Sequence, residues 1–212
     1  MDERLERYVS ELFAAEDPIL RKIRARQGEH KLPPINVSAE EGKLLYLLLL
    51  VIKAKRVLEI GSLGGYSGVW LGRALPPDGK LTTLEKDPRH ARIAREGFKE
   101  ARLEGRVELI EGGALEILPT LTPGFDAVFI DADKEPLPKY YDWGMRLLRI
   151  GGLLLCDNAF FHGAAVDESD QSGNALGVRG FNKLASGDPR LVATILPVRD
   201  GLLVGIKTRD TA

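Results

Sequence analysis

The sequence predicts an α/β protein built on a doubly wound, mostly parallel sheet of seven strands. Two observations predict this class. From Arg56 onward, short apolar segments alternate with amphipathic segments, the pattern of right-handed βαβ units whose parallel sheet is covered on both faces. Near the C-terminus, the apolar segments 192–198 and 201–207 are joined through "RDG". This link is too short for a helical crossover, so we expect a C-terminal antiparallel hairpin.

The composition favours a single globular domain spanning residues 1–212. Hydrophobic residues make up 44% and charged residues 29%, and the net charge of -1 gives no general reason to expect nucleic acid or an anionic membrane as a partner. The single cysteine, Cys156, excludes an intrachain disulfide and favours a reducing compartment. The longest apolar run, Leu44–Ile52, is far shorter than the ~20 residues of a membrane span. Since the charged N-terminus has no secretory core, we expect a soluble cytoplasmic protein.

Residues 1–54 form a predicted N-terminal helical extension. Apolar residues at helical spacing predict its helices, and the stretch 27–36, which holds two prolines, is predicted to be a loop. Ser38 and Glu41 have the spacing of a capping box and precede an apolar run. The predicted helices cover residues 3–15, a short segment after Pro18, and Ser38 to about Ala54.

Residues 55–212 form the predicted core. Segments rich in Val, Leu and Ile predict buried strands, and the segments between them have helical periodicity. Pro88 stands in the first turn of one helix, and Gly151 and Gly152 are expected to end another. The parallel strands are predicted at 56–61, 80–87, 106–112, 124–131 and 152–158, and the helices between them at 65–75, 88–104 and 136–150.

A glycine-rich turn, "EIGSLGGYS" at residues 59–67, follows the first predicted strand. Ligands of a doubly wound sheet bind beyond the carboxyl ends of the strands, and glycines let the backbone approach a ligand closely. The spacing is not G-x-G-x-x-G and no phosphate-binding Lys-Ser/Thr follows, so a plain tight turn is the alternative. Glu85 ends the second strand and could accept both ribose hydroxyls of a nucleoside, or be merely solvated beside Lys86. Together the turn and Glu85 indicate a nucleoside-bearing cofactor, whose adenine could lie against Gly113 and Ala114.

Acidic and amide side chains follow the fourth and fifth predicted strands, in "VFIDADK" and "LLLCDN". Because these strands are expected to be neighbours, Asp131, Asp133, Asp157 and Asn158 are predicted to share one rim of the sheet. Grouping carboxylates in a partly desolvated cleft is costly, and Lys134 alone does not offset that cost. An all-oxygen set suits a hard cation such as Mg²⁺. The alternative is that Asp133 and Asp157 each cap a following helix.

The chain resembles the cation-dependent O-methyltransferases, the group that contains catechol and caffeoyl-CoA O-methyltransferases and their bacterial relatives. Six segments carry the resemblance: "EIGSLGGYS", "LEKD", "GGALEIL", "DAVFIDADKEPLPKYYD", "LLRIGGLLLCDN" and "LPVRDGLLVGIK". It runs from about Ile35 to Lys207, and "DADK" followed by "DN" is its most specific part. The resemblance implies a Rossmann-like methyltransferase fold, S-adenosylmethionine as the cofactor, and a divalent cation, Mg²⁺.

The resemblance also assigns site residues wherever the motifs match. Lys134 falls on the catalytic lysine that deprotonates the acceptor hydroxyl. The implied metal ligands are Asp131, Asp157 and Asn158. The implied contacts to S-adenosylmethionine are Val37, Glu59, Gly61, Ser67, Glu85, Ala114, Asp131 and Asp133. Two departures matter: family members commonly carry Thr where Gly64 stands, and neither residues 30–36 nor residues 160–177 match a known substrate class.

The predicted function is metal-dependent methyl transfer from S-adenosylmethionine to a hydroxyl of a small vicinal aromatic diol, catechol-like or caffeoyl-like. Mg²⁺ would chelate both diol oxygens, and Lys134 would take the proton. One alternative acceptor is a hydroxylated nucleoside of tRNA or rRNA, which the acidic stretch 166–173 disfavours. A nucleotide-dependent oxidoreductase is disfavoured by the missing G-x-G-x-x-G and the terminal hairpin. A non-catalytic binding module is disfavoured by the complete acidic rim.

The sequence leaves three roles open. The N-terminal amphipathic helices could cover the active site, form a dimer interface, or both, and the resemblance favours a homodimer. His162 could face the acceptor or have no role. Arg179 could reach the acceptor or stabilise the last crossover connection.

Overall fold

The computed structural model describes residues 3–211, which fall into two compact units, the first ending at Ala114 and the second beginning at Leu115. The described residues contain the seven strands that the sequence predicts, mostly parallel and ending in an antiparallel hairpin, so the predicted fold class is confirmed. The single domain, with an extension at residues 1–54 and a core at 55–212, stays a prediction. Within the described residues, no helix has the length and apolar character needed to cross a membrane.

The first unit holds a three-stranded parallel layer. Its elements are α1 (Glu3–Phe13), α2 (Pro18–Glu29), α3 (Ala39–Val51), β1 (Arg56–Ile60), α4 (Tyr66–Ala74), β2 (Lys80–Glu85), α5 (Pro88–Glu100) and β3 (Val107–Glu111). Strand β2 pairs with β1 on one side and with β3 on the other, and helices α4 and α5 pack against β2. The apolar side chains of β1 and β2 are buried, which is typical of parallel strands.

Helices α2 and α3 begin at side-chain caps. The predicted capping box is confirmed: the Ser38 amide donates to Glu41 Oε2 at 2.7 Å, and the Glu41 amide donates to Ser38 Oγ at 3.2 Å. Asp17 caps α2 by accepting from the Leu20 amide at 2.9 Å. The loop predicted at 27–36 is wrong over its first residues, because α2 continues to Glu29 and buries Gln27.

The second unit is built around the C-terminal hairpin. Its elements are α6 (Ala114–Ile117, which begins at the unit boundary), β4 (Phe125–Ile130), α7 (Leu137–Leu147), β5 (Leu148–Cys156), α8 (Gly173–Gly187), β6 (Leu191–Leu196) and β7 (Leu202–Lys207). Strand β4 pairs with β5 in parallel, β7 pairs antiparallel with β5, and β6 pairs antiparallel with β7, which confirms the predicted hairpin. Helix α7 packs against β4 and β5, and α8 packs against α7 and β6.

The helix predicted at 136–150 ends earlier than expected. Helix α7 stops at Leu147 and β5 begins at Leu148, so the two glycines lie inside the strand rather than at the helix end. Leu148 pairs with Phe125, and a register shift follows before Ala127. The buried Lys207 ammonium donates to the carbonyls of Met145 and Leu148 at 2.9 and 2.8 Å, which satisfies carbonyl groups at the end of the helix. This long-range cap left no local signal in the sequence.

The turn after α8 makes the free energy of unfolding depend on pH in the acidic range. Hydrogen bonds from Arg190, and one from the Tyr141 hydroxyl at 2.8 Å, hold the pKa of the Asp188 carboxyl well below its usual range. A depressed folded-state pKa contributes stability above the unfolded-state value of about 3.9, and that stability is lost as the pH falls below it. We expect Asp188→Asn to lower the free energy of unfolding at pH 7 clearly more than at pH 3.

The measurement is urea unfolding of the wild type and the variant at both pH values. Glu168→Gln, which changes an exposed carboxylate, is the matched control and should have little effect at either pH. An equal loss of stability at pH 7 and pH 3 would contradict the role assigned to the ionised Asp188.

Candidate active site

The glycine turn is a tight loop between β1 and α4. Gly61 and Gly65 have positive φ angles of 96° and 84°, where an L side chain would be strained. The Gly65 amide donates to the Ser62 carbonyl at 2.8 Å, and α4 begins at the next residue, Tyr66. The turn thus presents backbone at the carboxyl end of β1, as the sequence predicts for a ligand-binding loop.

Glu85 ties the end of β2 to this glycine turn. Its Oε2 accepts from the amides of Leu63 and Ser62 at 2.7 and 3.3 Å, and its Oε1 accepts from the Asp87 amide at 2.9 Å. A carboxylate has about four acceptor positions, so these bonds leave about one free. A bidentate contact to ribose would therefore require Glu85 to exchange one of its backbone bonds. The predicted ribose contact stays a prediction.

Glu59 is a fully buried carboxylate in the middle of the first unit. The Ser67 hydroxyl donates to its Oε1 and the Thr83 hydroxyl to its Oε2, both at 2.6 Å. Such bonds offset the cost of burying the charge, and they connect β1, β2 and α4. The sequence reasoning named Glu59 and Ser67 but missed Thr83. The signal was available, because Thr83 is the parallel-register partner of Glu59.

The two other predicted cofactor contacts of the first unit lie outside the turn. Val37 precedes α3 and is buried, and its carbonyl accepts from Arg24 Nη2 at 3.2 Å. Ala114 is the first residue of α6. Both positions stay predictions as cofactor contacts.

In the second unit, the ends of β4 and β5 lie side by side. Ile130 pairs with Cys156 in parallel register, so Asp131 and Asp157 follow adjacent strand ends, as predicted. Asp157 is 4% exposed, whereas the Asp131 side chain is 22% exposed. Lys134, which is 8% exposed, places its Nζ 3.5 Å from Asp131 Oδ1 and 3.3 Å from the Asp157 carbonyl.

Asp131 and Asp157 are held by different contacts. Burial raises the pKa of the Asp131 carboxyl, and the nearby Lys134 ammonium opposes that rise. Asp157 Oδ1 accepts from the Asn158 amide at 2.7 Å, and Asn158 has a positive φ of 58°, a conformation that Asn tolerates. The local turn therefore holds Asp157 and Asn158 in a fixed arrangement.

Helix capping does not account for Asp133. Helix α7 has Pro136 as its N-cap and no side-chain capping bond, and the Asp133 side chain is exposed. Helix α8 is capped by Ser172, which accepts from the Ala175 amide at 3.3 Å. The side-chain cap of α8 is therefore neither Asp133 nor Asp157, the two residues that the sequence suggests as caps.

The donor set is chemically suited to a hard cation. Asp131, Asp157 and Asn158 offer only carboxylate and amide oxygens, the ligands that Mg²⁺ prefers. Among residues 3–211, no cluster of three or more His, Cys, Asp or Glu side chains could hold a metal. The predicted set contains two such side chains and an amide, so its metal site stays a prediction.

Two residues with undecided roles have clear positions. His162 has an 84% exposed side chain, and its amide donates to Asp200 Oδ1 at 2.9 Å. Arg179 donates hydrogen bonds to the carbonyls of Ala164, Asp167 and Asp170 at 2.9, 2.7 and 2.5 Å. These bonds stabilise the loop that precedes α8. Of the two roles considered for Arg179, the structure therefore supports a structural one.

The sequence reasoning missed Gly177, which lets α8 approach the segment that carries Lys134. A Cβ at Gly177 would lie 2.8 Å from the Lys134 carbonyl carbon and 2.9 Å from Glu135 Cα, and closer still to the Lys134 carbonyl oxygen. Cβ atoms in proteins essentially never lie this close to other heavy atoms, so an added Cβ would force backbone to shift. Gly173 and Gly177, four residues apart on one helix face, were the only sequence signal of this contact.

Comparisons with known proteins cover nearly the whole chain. A sequence model described as "O-methyltransferase" matches residues 10–208. The chain is 39% identical over 212 residues to a catechol O-methyltransferase of Niastella koreensis, which covers 98% of this chain and 94% of that protein. It is 42% identical over 190 residues to a catechol O-methyltransferase of Mycobacterium tuberculosis, which covers 89% of this chain and 86% of that protein.

Solved structures agree with the sequence comparisons. The O-methyltransferase TomG of Streptomyces achromogenes, in complex with S-adenosylmethionine, has a TM-score of 0.93 at 39% identity and covers 99% of this chain and 100% of its own. An O-methyltransferase of Bacillus cereus, in complex with S-adenosylhomocysteine, has a TM-score of 0.92 at 35% identity and covers 97% of each chain. From the match over residues 10–208 and these relatives, we conclude that the chain belongs to the O-methyltransferase family.

Proposed function

We propose that this chain transfers a methyl group from S-adenosylmethionine to a hydroxyl of a small vicinal aromatic diol and requires a divalent cation, Mg²⁺. The observation that carries the proposal is the pair of carboxylates at adjacent strand ends, Asp131 and Asp157, with the buried Lys134 beside both. The relatives that are named catechol O-methyltransferases support an aromatic diol as the acceptor.

The methyl donor is assigned to the carboxyl ends of β1 and β2 and to the segment before α3. The Gly61–Gly65 turn gives close access to backbone, and the acids Glu59 and Glu85 hold that turn and the start of α4 through hydrogen bonds. The proposed contacts in the first unit are Val37, Glu59, Gly61, Ser67, Glu85 and Ala114, and those in the second unit are Asp131 and Asp133. Complexes of the Streptomyces and Bacillus relatives with S-adenosylmethionine and S-adenosylhomocysteine support this cofactor.

The cation is assigned to Asp131, Asp157 and Asn158. When bound, the cation would act as a Lewis acid and lower the pKa of the acceptor hydroxyl. The Asn158 backbone amide holds the Asp157 carboxylate, which is buried. In its neutral amine form, Lys134, placed by the segment 131–134, would take the proton from the acceptor oxygen and become the ammonium.

We expect methyl transfer to catechol-like diols with Mg²⁺ present and a fall to background after metal removal with a chelator. The reason is that the diol needs the cation for both orientation and activation. The measurement is transfer of a labelled methyl group from S-adenosylmethionine to a panel of vicinal aromatic diols, with matched monohydroxyl compounds as controls. Added Mg²⁺ should restore the activity of the chelated enzyme.

Full activity without metal would overturn the cation assignment. Transfer of the label to bulk RNA instead of the diols would favour the hydroxylated nucleoside as acceptor. The oxidoreductase alternative has no support, because the chain belongs to the O-methyltransferase family.

The cytoplasmic location stays a prediction. The proposed homodimer is supported by exposed apolar side chains on α1 and α3: Leu5, Tyr8, Leu12, Phe13, Leu47, Leu50 and Val51.

A further inference from the structure

Gln27, on α2, occupies the space where a side chain at position 64 would lie. A Cβ added to Gly64 would lie 2.5 Å from Gln27 Cγ and 2.6 Å from Cδ, and closer still to Nε2. Gly64 does not have a positive φ angle, unlike its neighbours Gly61 and Gly65. The backbone conformation therefore does not require glycine at position 64. Glycine is required there because the Gln27 side chain fills the space that a larger residue would need.

Gln27 is fixed in this place. It is 2% exposed, and its Oε1 accepts a hydrogen bond from Asn36 Nδ2. Among the described residues, its buried Nε2 has no hydrogen-bond partner. An apolar side chain of the same size would avoid the cost of an unpaired buried donor, so packing alone does not explain a glutamine here. The bond to Asn36, the residue before Val37, does explain it.

A second α2 side chain links the same two segments. Arg24 donates to the Val37 carbonyl at 3.2 Å, and its guanidinium lies 4.2 Å from the centre of the Tyr66 ring. Tyr66 directly follows the glycine turn, and its hydroxyl donates to Glu16 at 2.5 Å. Helix α2 and the residues just before it therefore brace both the Val37 segment and the glycine turn.

We infer that Gln27 is a positioning residue for the methyl-donor site. Its carboxamide occupies the space that a side chain at position 64 would fill. It thereby holds the glycine turn and the Asn36–Val37 segment at a fixed separation. Gln27 is proposed to act through these segments and to make no contact with the reacting groups. The inference rests on the proposed assignment of the glycine turn and Val37 to S-adenosylmethionine, and it adds a residue from the N-terminal helices to the determinants of cofactor affinity.

A double-mutant cycle on Gln27 and Gly64 tests this inference. The probe is S-adenosylhomocysteine, whose Kd is measured by calorimetry without metal or acceptor. We expect Gly64→Ala to weaken binding about tenfold in the wild-type background and less than about twofold in the Gln27→Ala background, because the clash is then absent. Gly28→Ala is the matched control on the same helix, since a Cβ at Gly28 meets nothing within 4 Å, and it should leave the Kd unchanged.

The outcomes separate the possible failures. An equal loss from Gly64→Ala in both backgrounds would overturn the inference. If Gly64→Ala does not fold, Gln27→Ala alone decides: we expect it to weaken binding at least about threefold at a temperature where it is fully folded. A variant that lowers only the Tm and keeps the wild-type Kd would reduce Gln27 to a stabilising role. Failure of the wild type itself to bind S-adenosylhomocysteine would instead refute the proposed methyl donor.

Discussion

Replacing Lys134 with methionine is expected to lower kcat by about 10²- to 10⁴-fold, the range that a positioned general base contributes. Methionine keeps much of the length and packing of the lysine stem but cannot accept a proton. Lys134 Nζ lies 3.5 Å from Asp131 Oδ1 and 3.3 Å from the Asp157 carbonyl, which places a basic nitrogen beside the proposed cation site. The Kd for S-adenosylhomocysteine should stay within about threefold, because Lys134 is not among the proposed donor contacts.

The measurement is steady-state kinetics at saturating Mg²⁺ with the best diol of the panel, together with calorimetry. Saturating metal matters because removal of the Lys134 ammonium also changes the charge beside Asp131. Lys139→Met, which changes an exposed lysine of α7, is the matched control and should leave kcat unchanged. Wild-type turnover by Lys134→Met would show that water, rather than the lysine, takes the proton.

The sequence was sufficient to predict the parts of this fold that depend on local pattern. Alternating apolar and helical segments gave the βαβ order, and the short "RDG" link gave the hairpin. The capping box of α3 followed from two residues, Ser38 and Glu41. The end of α7 was mispredicted because the pairing of Leu148 with β4 and the cap from Lys207 are long-range contacts that no local pattern reports.

The same distinction holds for the candidate site. The adjacency of Asp131 and Asp157 was predictable, because parallel neighbouring strands bring their carboxyl ends to one edge. The bonds from the Ser62 and Leu63 amides to Glu85, the hydrogen bonds of Arg179 and the packing of Gln27 on Gly64 were not, since each joins segments that are separated in the sequence. Residue type and spacing thus indicate what chemistry a site can support, whereas the contacts that hold it in place require the structure.

Replacing Gly177 with alanine is expected to lower kcat/KM by about 10²-fold, because it displaces the segment that carries Lys134. The added Cβ would overlap the Lys134 carbonyl group and approach Glu135 Cα, which are backbone atoms that cannot rotate away. Either α8 or the 134–135 segment must move, and a shift of about 1 Å near reacting groups can cost 10²-fold in rate.

The sign of the stability change gives an independent check on this argument. In an unobstructed helix, Gly→Ala stabilises by roughly 0.5–1 kcal/mol, whereas overpacking a tight contact costs about 1–3 kcal/mol. Gly177→Ala should therefore lower the free energy of unfolding, and Gly187→Ala, whose Cβ meets nothing within 4 Å at the end of α8, should leave it equal or slightly higher. Urea unfolding and kinetics on both variants make the comparison. If Gly177→Ala were as active and as stable as Gly187→Ala, the close approach of α8 would not be what places Lys134 beside the two acids. The position of the lysine would then have to come from the segment 131–134 that follows β4.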